Sequence, residues 1–485
     1  MHLIHHHDID FNCTSKSLGF EVQKQCGDVA QTELYPAMDK LLSRFDHPDL
    51  VWTIDRIEIN ISCGANNWKQ ALVQETLLQL EEFLKNAYKP EKSDKEKISN
   101  FVDDDKMTTS EYCFRLFLLF LKNGILPVNS ISSKIEDIIE NIAWNEILRT
   151  DLYAVLTESP AILLRFILTV PDEVKNRISE QISNKTLHIA AENQVDTKID
   201  PVIQKGNPKV QRLLQEVFIW SEFFKYRITS DYLEKLIAEL AKLFDVDSVK
   251  ANLNILLKSG IFDRIGLDEK FFDEANRFLE DKNVIDKAKK TENRSEIEGN
   301  RILDSDSAQS IEEIKPELKA VFIENAGLII LHPFFESLFG NLKLCKDKKW
   351  KDAEGQHKAV LVMQYLCTGS EEFWDSDLFF NKLYCGFNPD SVINTSIALT
   401  DNDKTQCDEM LAAVIGHWKK LGNTSIEGLR ETFLRRNGKV VLSDNELTLN
   451  VENSGVDILL EYLPWSIRIV KSPWLDKIIN CYWEY

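Results

Sequence analysis

The sequence lacks the features that most directly mark a membrane or secreted protein. It contains no run of about 18 consecutive apolar residues, which a membrane-spanning helix needs, so we expect no transmembrane segment. The opening residues, MHLIHHHDID, show no cationic start followed by an apolar stretch. A signal peptide is therefore not predicted, and we expect the chain to stay in the cytoplasm.

Positive charge is also scarce. The chain has 58 Lys and Arg residues against 78 Asp and Glu residues, a formal net charge of −20 at pH 7. Such a charge repels nucleic acid and anionic lipid, but it permits docking onto basic protein surfaces. The nine cysteines are odd in number and include no CxxC pair. Reduced, buried thiols are therefore expected in place of a disulfide framework.

Motifs of catalysis and ligand binding are missing too. The sequence has no Walker loop, GxGxxG, GxSxG or HExxH. Residues 401–412 begin like a calcium loop but lack its glycine and final glutamate, so a helix start is expected there. His5 and His7 share one face of a predicted strand. No carboxylate or cysteine at ligand spacing accompanies them, so a half-buried strand face is favoured over a two-ligand metal site, and no cofactor is predicted.

Polar, charge-rich stretches divide the chain into five predicted parts. A further polar stretch, 191–210, predicts a loop inside the middle region. The parts are an N-terminal domain (1–88), a linker (89–110), a helical middle region (111–284), a flexible linker (285–317) and a C-terminal domain (318–485).

The N-terminal domain is predicted to be a small α/β domain in the order strand–helix–strand–helix. Residues 3–11 mostly alternate in polarity, which is typical of a strand. Residues 51–62 are β-branched and alternate too, with an isoleucine at every second position from 57 to 61. Apolar residues at helical spacing follow each strand, and Pro36 is expected to bend or restart the first helix.

The middle region is predicted to be all-helical and to consist of packed hairpins. The run 114–127 and the later run 253–262 both contain Leu-Lys-x-Gly-Ile. This similarity either marks a repeated hairpin unit or reflects a common way for helices to end, and the sequence leaves both open. The apparent helix breaks are Gly124, Pro127, Pro160, Pro171 and Gly260. Such breaks argue against one continuous rod.

The C-terminal domain is predicted to be α+β, so the whole chain is expected to be a predominantly helical α+β protein. Residues 324–339, ENAGLIILHPFFESLF, place six apolar or glycine residues before a His-Pro pair. A helix is favoured for this run, with Asn325 as its cap and a new helix starting at Pro333. A kink is expected at His332, because a residue before proline avoids the α region.

Later parts of this domain give clearer signals. Thr424 is expected to cap the helix that follows it, and a hairpin should turn near 443–445. His332 and His417 are interpreted as structural rather than catalytic. Trp465 and Trp474 each follow a proline; core anchoring is favoured for them over an exposed docking pair. The other predicted helices are 356–369, 379–386 and 403–422, which end at Gly369, Gly386 and Gly422.

Several long motifs resemble the tape measure proteins of contractile injection systems, which are phage-tail-like nanomachines of bacteria. The resemblance is dense in 320–475, moderate in 1–88 and thin between. It runs through ENAGLIILHPFFESLF, VMQYLCTG, LFFNKLYCG, AAVIGHWKKLGNTSIEGLRETFLRRNGKV and DILLEYLPWSIRIVKSPW, and through ELYPAMDKLL and VWTIDRIEINI nearer the start. The matching residues, expected to be structural or docking residues, are Glu324, Asn325, Gly327, His332, Pro333, Phe334, Gly369, Gly386, His417, Trp418, Asn423, Thr424, Gly428, Leu429, Arg430, Pro464, Trp465, Pro473 and Trp474.

The resemblance implies a non-enzymatic assembly protein that sets tube and sheath length by linking the baseplate to the growing tube. It implies inner tube, baseplate and tube-terminator proteins as partners, with self-association within the tube as a further expectation. No nucleic acid, direct membrane insertion or cofactor is expected. The resemblance implies a location in the cytoplasm during assembly and then inside the particle. The alternative is a helical scaffold or chaperone that aids assembly without measuring length. An enzyme that uses His332 or His417 is the third and least supported hypothesis.

Overall fold

The computed structural model describes residues 2, 4, 7–13, 15–47, 49–52, 54, 56–87, 106–126, 130, 134–183, 208–224, 229–258, 269–280, 320–443 and 446–483. The chain forms two compact units. The N-terminal unit comprises Met1–Arg115 and Asn129–Ala143, and the C-terminal unit comprises Leu116–Val128 and Trp144–Tyr485. The predicted linker 285–317 and most of 89–110 lie outside the described residues, as do Pro127 and Gly260.

The described α-helices are α1 (Lys16–Val29), α2 (Tyr35–Leu42), α3 (Trp68–Ala87), α4 (Thr109–Asn123), α5 (Ile135–Glu140), α6 (Leu148–Glu158), α7 (Pro160–Thr169), α8 (Asp172–Ser183), α9 (Pro208–Phe223), α10 (Ser230–Leu243), α11 (Val246–Lys258), α12 (Glu269–Glu280), α13 (His332–Asn341), α14 (Ala353–Thr368), α15 (Phe379–Tyr384), α16 (Asp401–His417) and α17 (Ile426–Leu429). The strands are β1 (Leu50–Trp52), β2 (Lys106–Thr108), β3 (Ala320–Ile323), β4 (Cys345–Lys346), β5 (Lys349–Trp350), β6 (Gly438–Leu442), β7 (Glu446–Val451), β8 (Ile469–Val470) and β9 (Ile478–Tyr482).

Helices build the core of the N-terminal unit. Ser15 caps α1 by accepting a hydrogen bond from Leu18 N at 3.3 Å. A single π-helical turn, Ala30–Leu34, separates α1 from α2, and Pro36 lies in the first turn of α2. The backbone stays helical from α1 through this turn into α2, so the bend or restart predicted at this proline stays a prediction. The buried apolar residues of this core are Val22, Cys26, Val29, Leu34, Met38, Leu41, Trp68, Leu72, Leu80 and Leu84.

The two long strands predicted for this unit are wrong in the part of them that the structure describes. Residues 7–13 join no β-ladder, and the second predicted strand contributes only β1, which pairs antiparallel with β2. Ile57, Ile59 and Ile61 are half-buried against the helical core. Their alternation reflects contact with helices, since a period-two pattern requires one buried face but not a neighbouring strand.

A five-stranded sheet organises the end of the C-terminal unit, in the order β3-β6-β7-β9-β8. The predicted hairpin is confirmed, because β6 and β7 pair antiparallel with Val440 opposite Leu449; residues 444–445 of its turn lie outside the described residues. Strand β9, which was not predicted, pairs parallel with β7 and antiparallel with β8. One face of the sheet is buried and the other carries exposed Phe322 and Tyr482.

Short helices fill the part of the C-terminal unit that precedes the sheet. Gly124 ends α4 at a φ of 71°, as predicted for this glycine. The longest helix from α6 to α12 is α9, with 16 residues. No single described helix is long and apolar enough to cross a membrane; α6 and α7 pass on length and composition only as a pair bent by 112°. The predicted fold class, predominantly helical α+β, is confirmed.

All nine cysteines are free thiols. Seven of them are buried, while Cys13 is half-buried and Cys63 is exposed. Burial raises the pKa of Cys367 and Cys407 to about 12, which keeps both thiols protonated and unreactive at neutral pH.

Candidate functional site

The apolar run that opens the C-terminal domain is a buried structural joint. Ala326–Leu331 forms a 3-10 helix in which all six residues are buried. A Cβ added to Gly327 would lie 1.7 Å from Phe433 O, so only glycine lets these two backbones pack together. The predicted helix is therefore present, but it is the tighter 3-10 type.

Asn325 does not cap this helix with its side chain, so that prediction is wrong. Its Nδ2 lies 3.2 Å from Gln364 Oε1, 2.9 Å from Asp377 O and 3.2 Å from Asn381 Oδ1. Asn381 Nδ2 in turn lies 3.1 Å from Gln364 Oε1. These three buried amides form a hydrogen-bonded cluster that ties the joint to α14 and α15.

His332 adopts an α conformation, with φ −51° and ψ −35°, so the kink predicted there is also wrong. The 3-10 helix continues directly into α13, since His332 N donates to Ile329 O and Pro333 lies in the first turn. The restriction that proline places on its predecessor is a bias, and here continuing helical hydrogen bonds outweigh it. His332 Nε2 lies 2.9 Å from Ser466 O, and burial lowers the pKa of His332.

The signature residues Phe334, His417, Trp465 and Trp474 take part in two groups of ring contacts on this core. Phe334 packs edge-on against Trp465 at 5.1 Å between ring centroids, and it lies 6.0 Å from the ring of exposed His417. Trp465 Nε1 donates to Ile330 O at 2.9 Å. On the other side of α13, Trp474 stacks on Trp350 at 4.5 Å. Both tryptophans of the Pro-Trp pairs are half-buried against the apolar core.

The remaining signature residues lie around α16 and α17. Trp418 is fully buried, and Arg430 contacts Asp408 at 2.9 Å and Leu366 O at 3.2 Å. The cap predicted at Thr424 is wrong by one residue, because Ser425 Oγ accepts from Gly428 N while Thr424 Oγ1 donates to Leu421 O. Glycines 369, 386 and 422 have positive φ at the ends of their helical segments, as predicted. Leu429 is buried, whereas Glu324, Asn423, Pro464 and Pro473 are exposed.

A buried ionic network joins α7 to the C-terminal domain. Arg165 Nε and Lys382 Nζ lie 3.1 Å and 2.8 Å from the same oxygen, Asp375 Oδ2. Their side chains are at most 1% exposed. Burial lowers the pKa of Lys382, and the Asp375 carboxylate opposes this effect. The single carboxylate of Asp375 therefore balances the positive charges of two buried side chains, Arg165 and Lys382.

The end of α4 reaches the same network. Arg165 Nη1 donates to Leu121 O at 2.5 Å and to Lys122 O at 3.0 Å. A Cβ on Gly124 would lie 2.6 Å from Asp375 Oδ2, so glycine is required for this approach as well as for its positive φ. A cation at the C-terminal end of a helix interacts favourably with the helix dipole.

Loop 388–400 and α14 of the C-terminal domain supply donors to two further helix ends. Thr395 Oγ1 donates to Leu168 O at 2.8 Å at the end of α7. Asn394 Nδ2 donates to Leu243 O at 3.0 Å at the end of α10. Helix ends leave their last carbonyl groups without intrahelical partners, so these side chains satisfy acceptors that would otherwise be buried unpaired.

His357 completes this set of helix-end contacts. It is buried in α14, with Nε2 3.2 Å from Lys242 O and Nδ1 3.3 Å from Asn394 N. A carbonyl accepts and a backbone N–H donates, so the ring is neutral with its proton on Nε2. Burial lowers the pKa of His357 to about 4, which keeps the ring neutral near pH 7.

Directional polar contacts thus recur along the interface between the middle helices and residues 320–483, beside apolar contacts such as that of Phe120 with Trp374 at 6.4 Å between ring centroids. Among the described residues, the apolar cluster around the joint draws its buried members from residues 321–483 and Ile125. Arg165, Asp375, Lys382 and His357 were not among the residues predicted from sequence. Arg165 is the one charged residue in the apolar run of α7, which is a usable signal, because a buried charge needs a partner.

The described residues contain no group of three or more His, Cys, Asp or Glu side chains placed to hold a metal ion. His7 Nδ1 lies 3.1 Å from Tyr35 Oη, and His5 lies outside the described residues. The residues described in this section pack the 3-10 helix joint and form hydrogen bonds at helix ends.

Comparison with known protein families gives a match to this chain. A model of the family described as contractile injection system tape measure protein matches residues 1–483. No curated protein and no solved structure matches the chain. Because the family match covers nearly the whole sequence, the chain belongs to the contractile injection system tape measure protein family.

Proposed function

We propose that this chain is a non-enzymatic protein that links the baseplate to the growing inner tube and thereby sets tube and sheath length. The observation that carries the proposal is the family match over residues 1–483. The proposed partners are inner tube, baseplate and tube-terminator proteins. The chain acts in the cytoplasm during assembly and remains inside the assembled particle, where copies can contact each other.

We further propose that the middle helices are stored against the C-terminal domain and separate from it when the chain extends in the tube. The polar contacts at helix ends in this interface support this step. When the helices separate, the helix-end carbonyls and their side-chain donors can form hydrogen bonds with water in place of those with each other. Exposure of apolar surface has no such compensation and costs about 25 cal/mol per Å2. Helix α9, with 16 residues, spans about 24 Å, so a useful ruler requires the packed helices to separate.

The direct test is deletion of the gene followed by electron microscopy of the particles. The proposal predicts that particles are lost or that their lengths vary widely. Particles of unchanged, uniform length would contradict a length-setting role. Complementation with the wild-type gene controls for effects on neighbouring genes.

A second candidate function is supported by the short, packed helices. A scaffold or chaperone that assists tube assembly would act in this folded form and would not need to extend. Quantitative mass spectrometry of purified mature particles separates the two. A tape measure is retained in fixed stoichiometry, whereas a chaperone binds free subunits and is absent from mature particles.

A further inference from the structure

A large open cleft lies within the N-terminal unit. Its volume is about 2150 Å3, well above the roughly 300–1,000 Å3 of a usual small-molecule pocket. Two extended segments, residues 7–13 and residues 56–62, line it together with residues from α1, α2 and α3. The size and shape of this lining suit a polypeptide better than a metabolite.

Helix α3 contributes a row of five side chains to the lining, four of them apolar and all at most 9% exposed. It contributes one side chain every four residues, so these side chains lie along one face of the helix. From the first to the last of the five positions the helix advances by 16 residues, which is about 24 Å. A strand of about seven residues has the same length. They are Trp68, Leu72, Thr76, Leu80 and Leu84.

Residues 56–62 have the side-chain pattern of a strand. Ile57, Ile59 and Ile61 are half-buried against the helices, while the polar residues between them, Arg56, Glu58, Asn60 and Ser62, are exposed. The segment follows β1 along the chain, and β1 already forms a β-ladder with β2. The segment therefore has the burial pattern of a strand, but within the described residues it joins no β-ladder.

The backbone of this segment is open to pairing. Within the part of the chain that the structure describes, its one backbone hydrogen bond is to the carbonyl of Asn60, which accepts from Gln79 Nε2 at 2.9 Å. Residues 9–12 across the lining make no backbone hydrogen bond to any described residue. Rows of unpaired N–H and C=O groups on an extended segment are the template on which another chain adds a strand.

The charge of the cleft lining favours some partner segments over others. The lining carries four carboxylates, Asp8, Asp10, Asp46 and Glu58. Glu58 pairs with Arg56 at 2.5 Å and Asp46 contacts His2 Nε2 at 2.8 Å, so the lining keeps an excess of negative charge. The whole chain also has a net charge of −20. A segment with basic side chains is attracted to this cleft, whereas a second copy of this acidic chain is repelled.

We propose that the cleft binds an extended segment of a basic partner protein, about seven residues long, which adds to residues 56–62 as a β-strand. Its alternate apolar side chains contact the helices, and its basic side chains face the carboxylates. The proposal concerns the N-terminal unit alone and does not depend on a length-setting role for the chain.

The test uses the full-length protein and a labelled heptapeptide, Lys-Val-Lys-Val-Lys-Val-Lys, with binding followed by fluorescence anisotropy. Saturable binding is expected, together with slower hydrogen exchange of amides 57–61 when the peptide is present. A peptide with N-methyl groups on alternate residues keeps charge and apolarity but cannot pair, and it should bind at least about tenfold more weakly. Glu-Val-Glu-Val-Glu-Val-Glu should be weakened similarly.

A matched pair of variants tests the binding edge. Asn60→Pro removes a backbone donor and should weaken peptide binding at least about tenfold, whereas Asn60→Ala should stay within about threefold of wild type. Equal binding of the N-methylated peptide, or unchanged exchange of amides 57–61, would overturn the proposal even if Asn60→Pro misfolds. Concentration-dependent dimerisation through residues 56–62 would overturn it too, because the cleft would then serve a second copy.

Discussion

The guanidinium of Arg165 and the carboxylate of Asp375, 210 positions apart in the chain, lie 3.1 Å apart and are both buried. Lys382 shares the same carboxylate oxygen. Asp375 therefore balances the charge of two buried basic side chains at this contact.

Asp375→Asn should therefore destabilise the C-terminal unit strongly. The substitution leaves Arg165 and Lys382 buried without a counter-charge, and breaking a buried pair in this way costs about 3–5 kcal/mol. Lys382→Met should cost less, because it leaves a balanced Arg165–Asp375 pair and fills a similar volume. Urea unfolding followed by tryptophan fluorescence measures both. Equal destabilisation by the two variants would contradict this assignment of roles.

Gly327→Ala should prevent correct packing of the joint. The new Cβ would lie 1.7 Å from Phe433 O, a backbone atom that cannot move aside locally. A loss of more than about 3 kcal/mol, or failure to fold, is expected, since this exceeds the usual 1–3 kcal/mol cost of overpacking. Gly340→Ala in α13 is the matched control, with no atom within 4 Å of its new Cβ. Its stability should be unchanged or raised by up to about 1 kcal/mol, and thermal unfolding compares the two.

His357 should make stability depend on pH between about 4 and 6.5. Its folded pKa is lowered to about 4 by burial, so in this window the unfolded chain binds more protons than the folded one. Stability from this group is full above pH 6.5 and is lost as pH falls, by up to about 3 kcal/mol.

The measurement is the urea midpoint of wild type and His357→Gln between pH 4.5 and pH 7. Carboxylates titrate in both proteins, so the difference between the two profiles isolates His357. The wild-type midpoint should fall more steeply with decreasing pH. Parallel profiles would show that His357 is not the group responsible.

The helix-end contacts should control local opening of the middle helices. Replacing Thr395 with Val and Asn394 with Ala leaves Leu168 O and Leu243 O without their donors, at about 1–3 kcal/mol for each buried acceptor. Hydrogen exchange near the ends of α7 and α10 should quicken. Thr405→Val is the control, because Thr405 Oγ1 bonds Asp401 O within α16. Unchanged hydrogen exchange in the double variant would contradict the prediction that these contacts limit opening of the helices.

Local signals in the sequence predicted the elements that depend on local chemistry. Gly124 and Gly369 end their helices at positive φ, because glycine adopts this conformation without a steric penalty wherever it occurs. Pro36 lies in the first turn of α2, where its fixed φ fits a helix. The apolar stripes of α1 and α3 likewise face the core as their spacing predicts.

Features set by distant neighbours could not be predicted in the same way. The alternation of residues 56–62 reports one buried face, and it cannot say whether a strand or a helix covers that face. The neighbours of Asn325 in sequence predict a cap, but its side chain is hydrogen-bonded to amide side chains in α14 and α15. The Arg165–Asp375 pair has no sequence signature beyond a charge in an apolar run, since its partner is fixed only by the fold.

The central claim, that chain length sets tube length, is tested most directly by an insertion. About 40 residues of helical sequence are added between residues 195 and 196, in the predicted loop of the middle region, and the same residues are added after Tyr485 as a control. At about 1.5 Å per residue when helical and about 3.3 Å when extended, the internal insertion should lengthen tubes by roughly 60–130 Å, with no change for the control. Tubes of wild-type length from the internal insertion, measured by electron microscopy in particles that contain the variant, would contradict the account.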